Sequence, residues 1–247
     1  MSRTVYVWTD FDDDAEASDW YEDVHIPSIV RELGFTAQHT ERVQNKAFQD
    51  ISGINGFYMT VFRLPELPDG KEHVVQDLQT QIRPAPDSLS RYAQVNTRIY
   101  TSLGTYLGRE WRGGMFVSHY METAIWLTKL IEERDVRMWV VIRYQPDEAI
   151  LDQFIKFCAE VLGPKMIENP NLLRLEFFQV DRGSSLKDGA YRDRDAKSFF
   201  PFMTTWEFRC NEIPEELLMY VIGSKDWLYY VENDLIVGRC NNRLRTC

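Results

Sequence analysis

Cysteine and histidine are both scarce in this sequence. Its 247 residues include four of each. Cys158, Cys210, Cys240 and Cys247 are too few and too scattered for a disulfide framework or a zinc site, so we expect them to be thiols in a reducing compartment. No two histidines lie three or four residues apart, and no histidine–carboxylate triad is clustered, so the pattern of a zinc or non-haem iron site is missing.

Basic clusters and long apolar runs are missing too. Lys and Arg total 28 against 38 Asp and Glu, a net charge of −10, and no segment is basic enough to follow a nucleic-acid backbone. No apolar run approaches membrane-spanning length, and the N-terminus MSRTVYVWTDFDDD lacks the apolar core of a signal peptide. Nucleotide-binding and hydrolase motifs do not occur. We therefore expect a cytoplasmic globular protein that binds neither nucleic acid nor membrane, and whose chemistry, if any, needs no cofactor.

One order of elements occurs twice along the chain. In the first half a strand, TVYVWTDF, precedes a helix from about Asp14 that ends at Gly34. Two strands, a helical piece and a closing strand follow: FTAQHTERV, FYMTVFRL, Val74 to Ile82, and AQVNTRIYTSL. The second half repeats this order with MWVVIRYQP, a helix over 147–166, LLRLEFFQV, FMTTWEFRC, a helix over 214–230, and LIVGRCNNRLRTC. The pattern is β-α-β-β-α-β in each half.

This repeat predicts an α+β fold of two ferredoxin-like units, 1–108 and 138–247. One unit alone leaves a sheet face bare, so we expect the two to pack as an intrachain α+β barrel that encloses a lumen. The connecting segment 109–137 contains an amphipathic helical pattern that either packs outside the barrel or forms a homodimer interface. The polar loop from Gly183 to Phe200 is either a lid or a mobile surface segment.

The stretch WYEDVHIP contains the histidine of most interest. Pro27 lacks an amide proton and crowds the carbonyl four residues earlier, so it should kink or end the helix near His25. Tyr21 lies one turn earlier and is within reach of the imidazole. A buried neutral imidazole near a phenol suits proton transfer, but a histidine that only caps loose carbonyls fits equally well.

The motif Trp20-Tyr21-x-x-x-His25-x-Pro27, followed by Gly34-Phe35, resembles the EthD-like branch of the dimeric α+β barrel superfamily. The resemblance is closer to the fungal proteins that carry two such units in one chain. It implies that the lumen is the site and that His25 points into it. In the second half Leu162 stands where His25 would fall. Members of the superfamily include cyclases, decarboxylases, dehydratases, cofactor-free oxygenases, haem proteins and ligand-binding proteins, so the fold does not choose a reaction.

Strand alternation supplies further candidates for the lumen. Val5 and Val7 suit the helix side, which leaves Tyr6 and Trp8 for the lumen. Substrate-binding residues predicted in this way, with Trp20 from the motif, are Tyr6, Trp8, Trp20, Tyr58, Phe62, Arg174 and Glu176. Arg174 and Glu176, with Arg143 and Glu207, form either a polar binding site or a buried ion network. His39 beside Glu41 is either a second acid–base couple or an exposed edge-strand pair.

We therefore expect a cofactor-independent lyase or cyclase of specialised metabolism that holds an aromatic, polyketide-like or terpenoid-like small-molecule substrate. His25 would be the general acid–base and Tyr21 would orient or assist it. The alternatives are a non-catalytic small-molecule or haem-binding protein and a pericyclase that acts by folding its substrate.

Overall fold

A computed structural model of the protein describes residues 3–11, 14–42, 58–63, 80–84, 93–108, 136, 138–146, 148–223 and 236–242. The connecting segment predicted over 109–137 lies outside this range except for Val136, and so do residues 74–79 and 224–230 of two predicted helices. Residues 80–82 are helical, as predicted.

Nine strands are described. In the first half β1, β2, β3 and β4 follow the predicted order, and β4 runs further than expected. In the second half β6 is much longer than its predicted counterpart. The bounds are β1 Arg3–Asp10, β2 Thr36–Arg42, β3 Tyr58–Arg63, β4 Gln94–Leu107, β5 Met138–Tyr144, β6 Leu172–Lys187, β7 Ala190–Asp195, β8 Phe202–Phe208 and β9 Ile236–Asn242.

Each half has one helical segment between its first two strands, and in both the regular helix is interrupted by a π turn. Asp14 caps the first segment, because its carboxylate accepts a hydrogen bond from the Ala17 amide at 3.0 Å. Gly34 ends it in the left-handed conformation, with φ of 68°. The helices are α1 Ala15–Trp20, α2 Ile26–Leu33, α3 Leu151–Phe157, α4 Gly163–Met166 and α5 Glu215–Gly223, with π turns at Tyr21–His25 and Cys158–Leu162.

The strands form one antiparallel sheet in the order β4-β1-β3-β2-β9-β5-β8-β6-β7. In the first half β4 pairs with β1, β1 with β3, and β3 with β2; with the β7 hairpin strand set aside, the second half repeats this, since β9 pairs with β5, β5 with β8, and β8 with β6. The halves join through β2 and β9 at Thr40–Arg42, and β4 also pairs with β6 from Val95 to Leu107. Together these pairings connect eight of the nine described strands in a closed ring, so the sheet curls on itself. With its helices the architecture is mixed α+β.

Three apolar clusters define the layers. One cluster packs the α1–α2 segment against the outer face of the first-half strands, and another packs α3 and α4 against the second-half strands. The third, which we call the interior cluster, draws on strands of both halves and so lies inside the ring. Its members are Tyr6, Trp8, Met59, Val61, Tyr100, Val136, Trp139, Val141, Leu173, Phe178, Val180, Phe199 and Met203.

The prediction of a loop over Gly183 to Phe200 is wrong for most of that range. Strand β6 continues to Lys187 and returns as β7, and the two pair from Arg182 to Asp195. Asp188 and Gly189 form the turn with φ of 54° and 75°, the two positive values that a type I′ hairpin needs. Only a short turn, Ala196–Ser198, separates this hairpin from Phe199.

Candidate functional site

Pro27 shapes the helix turn that carries His25. Proline cannot donate the hydrogen bond of a regular helix and crowds the carbonyl four residues back. The helix widens to a π turn here, because the Ile26 amide donates to the Tyr21 carbonyl five residues earlier. The helix then continues to Leu33. Tyr21 and His25 are buried as a result, whereas Val24 is 53% exposed. Such π turns are often found at functional sites.

His25 is 8% exposed and lies among Trp20, Tyr21 and Ile82. Its Nε2 is 2.9 Å from the Ile82 carbonyl oxygen, so this nitrogen carries the proton of the neutral ring. Its ring stacks on Trp20 and Tyr21, with centroids 5.3 Å and 5.2 Å away. Burial lowers the pKa of His25, although the bond to Ile82 opposes the effect. The imidazole is therefore neutral near pH 7.

Tyr21 begins a chain of polar contacts along the outer face of the sheet. Its hydroxyl donates to Thr60 Oγ1 at 3.3 Å, and Thr60 Oγ1 is 2.8 Å from His39 Nδ1. On the far side of the ring, His39 Nε2 is 3.4 Å from Glu22 Oε1, an ion-pair distance without the alignment of a hydrogen bond. Burial raises the pKa of Tyr21 well above its usual value despite the contact with Thr60. Tyr21 therefore keeps its proton and is a donor.

The interpretation of His39 as an exposed edge-strand partner of Glu41 is wrong. Strand β2 lies between β3 and β9, so it is not an edge. His39 faces Glu22 and Thr60, and it stacks on Tyr58 at 5.4 Å between centroids. Sequence spacing gave no signal for this set because Thr60 lies 21 residues from His39.

The predicted site residues lie on two faces of the sheet. Tyr6 and Trp8 belong to the interior cluster, as alternation predicted, whereas Tyr21 belongs to the outer cluster of the first half. The expectation that His25 points into the lumen is therefore wrong, because its contacts with Tyr21 and Ile82 place it in the outer layer.

The prediction that Tyr58 and Phe62 face the lumen is wrong. Phe62 packs in the outer cluster and Tyr58 lies against it, while Met59 and Val61 face the interior. Both faces of β3 are buried and apolar, so alternation alone does not tell them apart. Strand β6 has a register shift between Leu172 and Arg174, and Leu173 there joins the interior cluster together with the inward side of the strand.

Arg174 and Glu176 meet Glu207 in a buried ion cluster, and Arg63 joins them. Arg174 donates to both Glu207 oxygens at 2.7 and 2.8 Å. Arg63 lies 2.7 Å from Glu207 and 3.1 Å from Glu176. Burial by itself raises the pKa of Glu176, but the charges of Arg174 and Arg63 outweigh it and hold the pKa below its usual range. Arg143 lies elsewhere, over the ring of Phe200 at 5.5 Å.

The π turn of the second half lacks the tyrosine and the histidine of the first. It ends at Leu162, also two residues before a proline, and begins at Cys158 where the first half has Tyr21. Leu162 and Cys158 are buried in an apolar cluster, and burial raises the pKa of the Cys158 thiol. Of these two turns, only the first carries a buried tyrosine and a buried histidine.

Within the described part of the chain, no three His, Cys, Asp or Glu side chains are grouped so that they could hold a metal ion. Within the same residues no helix is both long enough and apolar enough to cross a membrane.

Comparison with described protein families gave no match, and no curated protein matches the sequence. Solved structures do match over nearly the whole chain. A protein of Fusobacterium nucleatum, provisionally assigned as a monooxygenase, is 10% identical with a TM-score of 0.52, over 98% of this chain and 94% of its own. An anthrone oxidase-like protein is 11% identical with a TM-score of 0.51, over 98% and 91%. At such identities the likeness establishes only the fold, that of the α+β barrel proteins.

Proposed function

We propose that this protein is an enzyme that performs proton transfer on a bound organic molecule in the outer layer of its first half. The observation that carries the proposal is the line of contacts Tyr21–Thr60–His39–Glu22 beside the neutral, buried His25. A structural histidine needs only its bond to Ile82. The additional polar chain gives a proton a path between a buried phenol and a half-buried carboxylate.

The two buried groups have complementary roles in this proposal. His25 is the general base, because its lowered pKa leaves it neutral and able to accept a proton. Tyr21 is the general acid, because its raised pKa keeps its proton until the substrate develops negative charge. Environments that move two pKa values apart are typical of acid–base pairs. A positioned acid or base contributes roughly 10² to 10⁴ in rate.

Substrate would lie against the aromatic rings that surround His25. Trp20 is half-buried, and Tyr58 stacks on His39 within the same layer. Flat apolar walls suit an aromatic, polyketide-like or terpenoid-like intermediate. The reaction class is cyclisation, dehydration or decarboxylation. The first two need one group that removes a proton and one that supplies it, and a decarboxylation needs a group that supplies a proton to the carbanion left when carbon dioxide departs. A substrate at His25 does not contact Tyr6, Trp8, Arg174 or Glu176, which lie on the interior face.

We also propose that the chain consists of two ferredoxin-like units, 1–108 and 138–247, of which only the first is catalytic. The matching strand order of the two halves supports this division. The motif around His25 supports kinship with the EthD-like branch. A homodimer through the segment 109–137 stays a prediction.

Haem is a poor fit to the residues near His25. A haem ligand needs an imidazole nitrogen directed at open space. Nε2 of His25 bonds to Ile82, Nδ1 of His39 contacts Thr60, and Nε2 of His39 faces Glu22. This leaves Nδ1 of His25, the nitrogen that the proposed proton transfer uses.

Oxygenation without a cofactor is a second candidate, favoured by the fold neighbour provisionally assigned as a monooxygenase. Removal of a proton by His25 would begin either reaction, because a substrate carbanion is the species that cyclises or meets oxygen. The products differ: a lyase or cyclase product loses water or carbon dioxide or keeps the mass of its substrate, whereas an oxygenase product gains oxygen.

Complementation of a deletion strain tests the proposal. Strains that carry the wild type, His25→Gln or Leu162→Met at matched protein levels are compared by metabolite profiling. Glutamine keeps an N–H for Ile82 but does not act as a base at neutral pH. Leu162→Met is the control, because it conserves volume at the equivalent position of the second half. We expect rescue by wild type and Leu162→Met only. Full rescue by His25→Gln would reject catalysis by His25.

A further inference from the structure

The barrel interior contains a buried arginine that the proposed reaction does not use. Arg98 is 3% exposed and lies on β4 opposite Tyr6 of β1. Its guanidinium carbon lies over two rings, 4.8 Å from the centroid of Trp8 and 4.7 Å from the centroid of Phe199. Both rings stabilise its charge by cation–π attraction. The N–H groups need hydrogen-bond partners besides these rings.

Two donors of Arg98 have no acceptor. Both Nε and Nη1 are buried and make no hydrogen bond. A buried donor left without a partner costs about 1–3 kcal/mol, and more when it is charged. Proteins rarely keep such a group unless something else binds it. Nε and Nη1 point from different edges of the guanidinium, so each needs an acceptor of its own in the plane of the group.

The guanidinium of Arg143 lies close enough to Arg98 for the two charges to interact. Arg143 is 7% exposed. Burial and, to a smaller extent, the charge of Arg98 together lower the pKa of Arg143 to about 10, against the opposing effect of Tyr100. Two like charges in a buried place repel each other, and an anion between them relieves the repulsion.

The two carboxylates of the described interior ion cluster are engaged with other arginines, because Glu176 and Glu207 are held by Arg63 and Arg174. The Tyr100 hydroxyl and Trp139 Nε1 are further buried polar groups without a hydrogen bond. The interior of the described chain is thus rich in unused donors and lined by aromatic rings.

We propose that the interior around Arg98 and Arg143 is a binding site for the carboxylate of a small aromatic molecule. The planar fork of a guanidinium matches a carboxylate, and Trp8, Tyr100 and Phe199 offer flat apolar surface to an aromatic ring. Trp8 and Phe199, each 9% exposed, are the most exposed members of the interior cluster, so the ligand enters at this end. The site is independent of His25, which lies on the opposite face of the sheet.

Calorimetric titration of the full chain with benzoate tests the site, with benzamide as the neutral analogue of the same shape and inorganic phosphate as an anion without a ring. We expect saturable binding of one benzoate per chain and no binding of benzamide. Equal binding of benzoate and benzamide would overturn the role of charge. Binding of phosphate without benzoate would overturn the ligand class.

Variants locate the binding. Arg98→Met should weaken benzoate binding by about tenfold or more, because one half of a buried charge contact is lost. Arg31→Gln, which removes an exposed arginine on α2, should bind as the wild type does. Arg98→Lys keeps the charge without the planar fork and should also bind more weakly, so the proposal stays testable if the Met variant fails to fold. Undiminished binding by either Arg98 variant would place benzoate elsewhere and overturn the proposal.

Discussion

His25 and Leu162 hold equivalent positions in the two halves of the chain. Each is the last residue of a five-residue π turn, and each stands two residues before a proline. In both turns the amide that follows donates to a carbonyl five residues back. The same π turn thus carries an imidazole side chain in one half and an isobutyl side chain in the other. The π turn itself is therefore a property of the proline, and the chemistry is a property of the residue it presents.

The stability of the protein should fall as the pH drops through the range below about 6.5, in part because of His25. The folded-state pKa of His25 lies below its ordinary value of 6.5, so the unfolded chain binds the proton more readily. Stability is full above the unfolded pKa and is lost as the pH falls towards the folded one. Urea unfolding at pH 7.5 and 5.5 measures this loss.

The His25→Gln variant is the comparison for that measurement. All other titrating groups are shared, so the difference between the two proteins reports His25. We expect a smaller loss of stability in the variant. An identical pH dependence in both proteins would show that His25 has the same pKa folded and unfolded.

Replacement of Glu207 by glutamine should lower the free energy of unfolding substantially. Its carboxylate neutralises Arg63 and Arg174 in the interior, and Glu207→Gln leaves buried positive charge behind. Removal of one partner from a buried pair costs about 3–5 kcal/mol. Denaturant unfolding would measure it against Glu160→Gln, which breaks the exposed pair with Lys156 and should cost at most about 0.5 kcal/mol. Similar values for the two variants would contradict a desolvated cluster.

Tyr21, Thr60 and His39 should behave as a coupled unit. Tyr21→Phe and Thr60→Val each break the contact between the two hydroxyls. Their combined effect on unfolding free energy should depart from additivity by about 0.5 kcal/mol or more. The control cycle pairs Tyr21→Phe with Thr205→Val, whose hydroxyl contacts Tyr6 in the interior, and should be additive. Additivity in both cycles would mean that the hydroxyl contact does not form in solution.

Gly163 should not tolerate alanine. A Cβ at this position would come within 2.5–2.7 Å of the ring of Tyr106, whose hydroxyl donates to the Ala159 carbonyl at 3.0 Å. We expect Gly163→Ala to cost about 1–3 kcal/mol through this overlap. In a Tyr106→Leu background the penalty should shrink, which thermal or urea unfolding would detect. A penalty that stays the same would assign the cost to the backbone instead.

Much of the fold was predictable because its signals are local. Helix ends at Asp14 and Gly34 and the placement of Tyr6 and Trp8 opposite Val5 and Val7 all follow from neighbouring residues. The turn at Asp188-Gly189 was also readable, since Asp-Gly between alternating residues signals a type I′ hairpin. The prediction of a loop there overlooked it.

The errors concern relations that no local pattern encodes. Both faces of β3 are apolar, so the sequence did not say that Phe62 faces outward. The chain resolves the crowding at Pro27 with a π turn, which keeps the helix on the outer face and takes His25 with it. His39, Thr60 and Glu22 come from three separate elements: the pairing of β2 with β3 brings His39 to Thr60, and the packing of the π turn on the sheet brings Glu22 to His39.

The most direct test of the account adds purified protein to an extract of the deletion strain and follows the small molecules that are consumed and formed. With wild-type protein we predict one metabolite consumed and a product that has lost water or carbon dioxide, or has kept its mass. His25→Gln, folded and at the same concentration, should leave that metabolite in place. Equal conversion by both proteins would contradict proton transfer by His25.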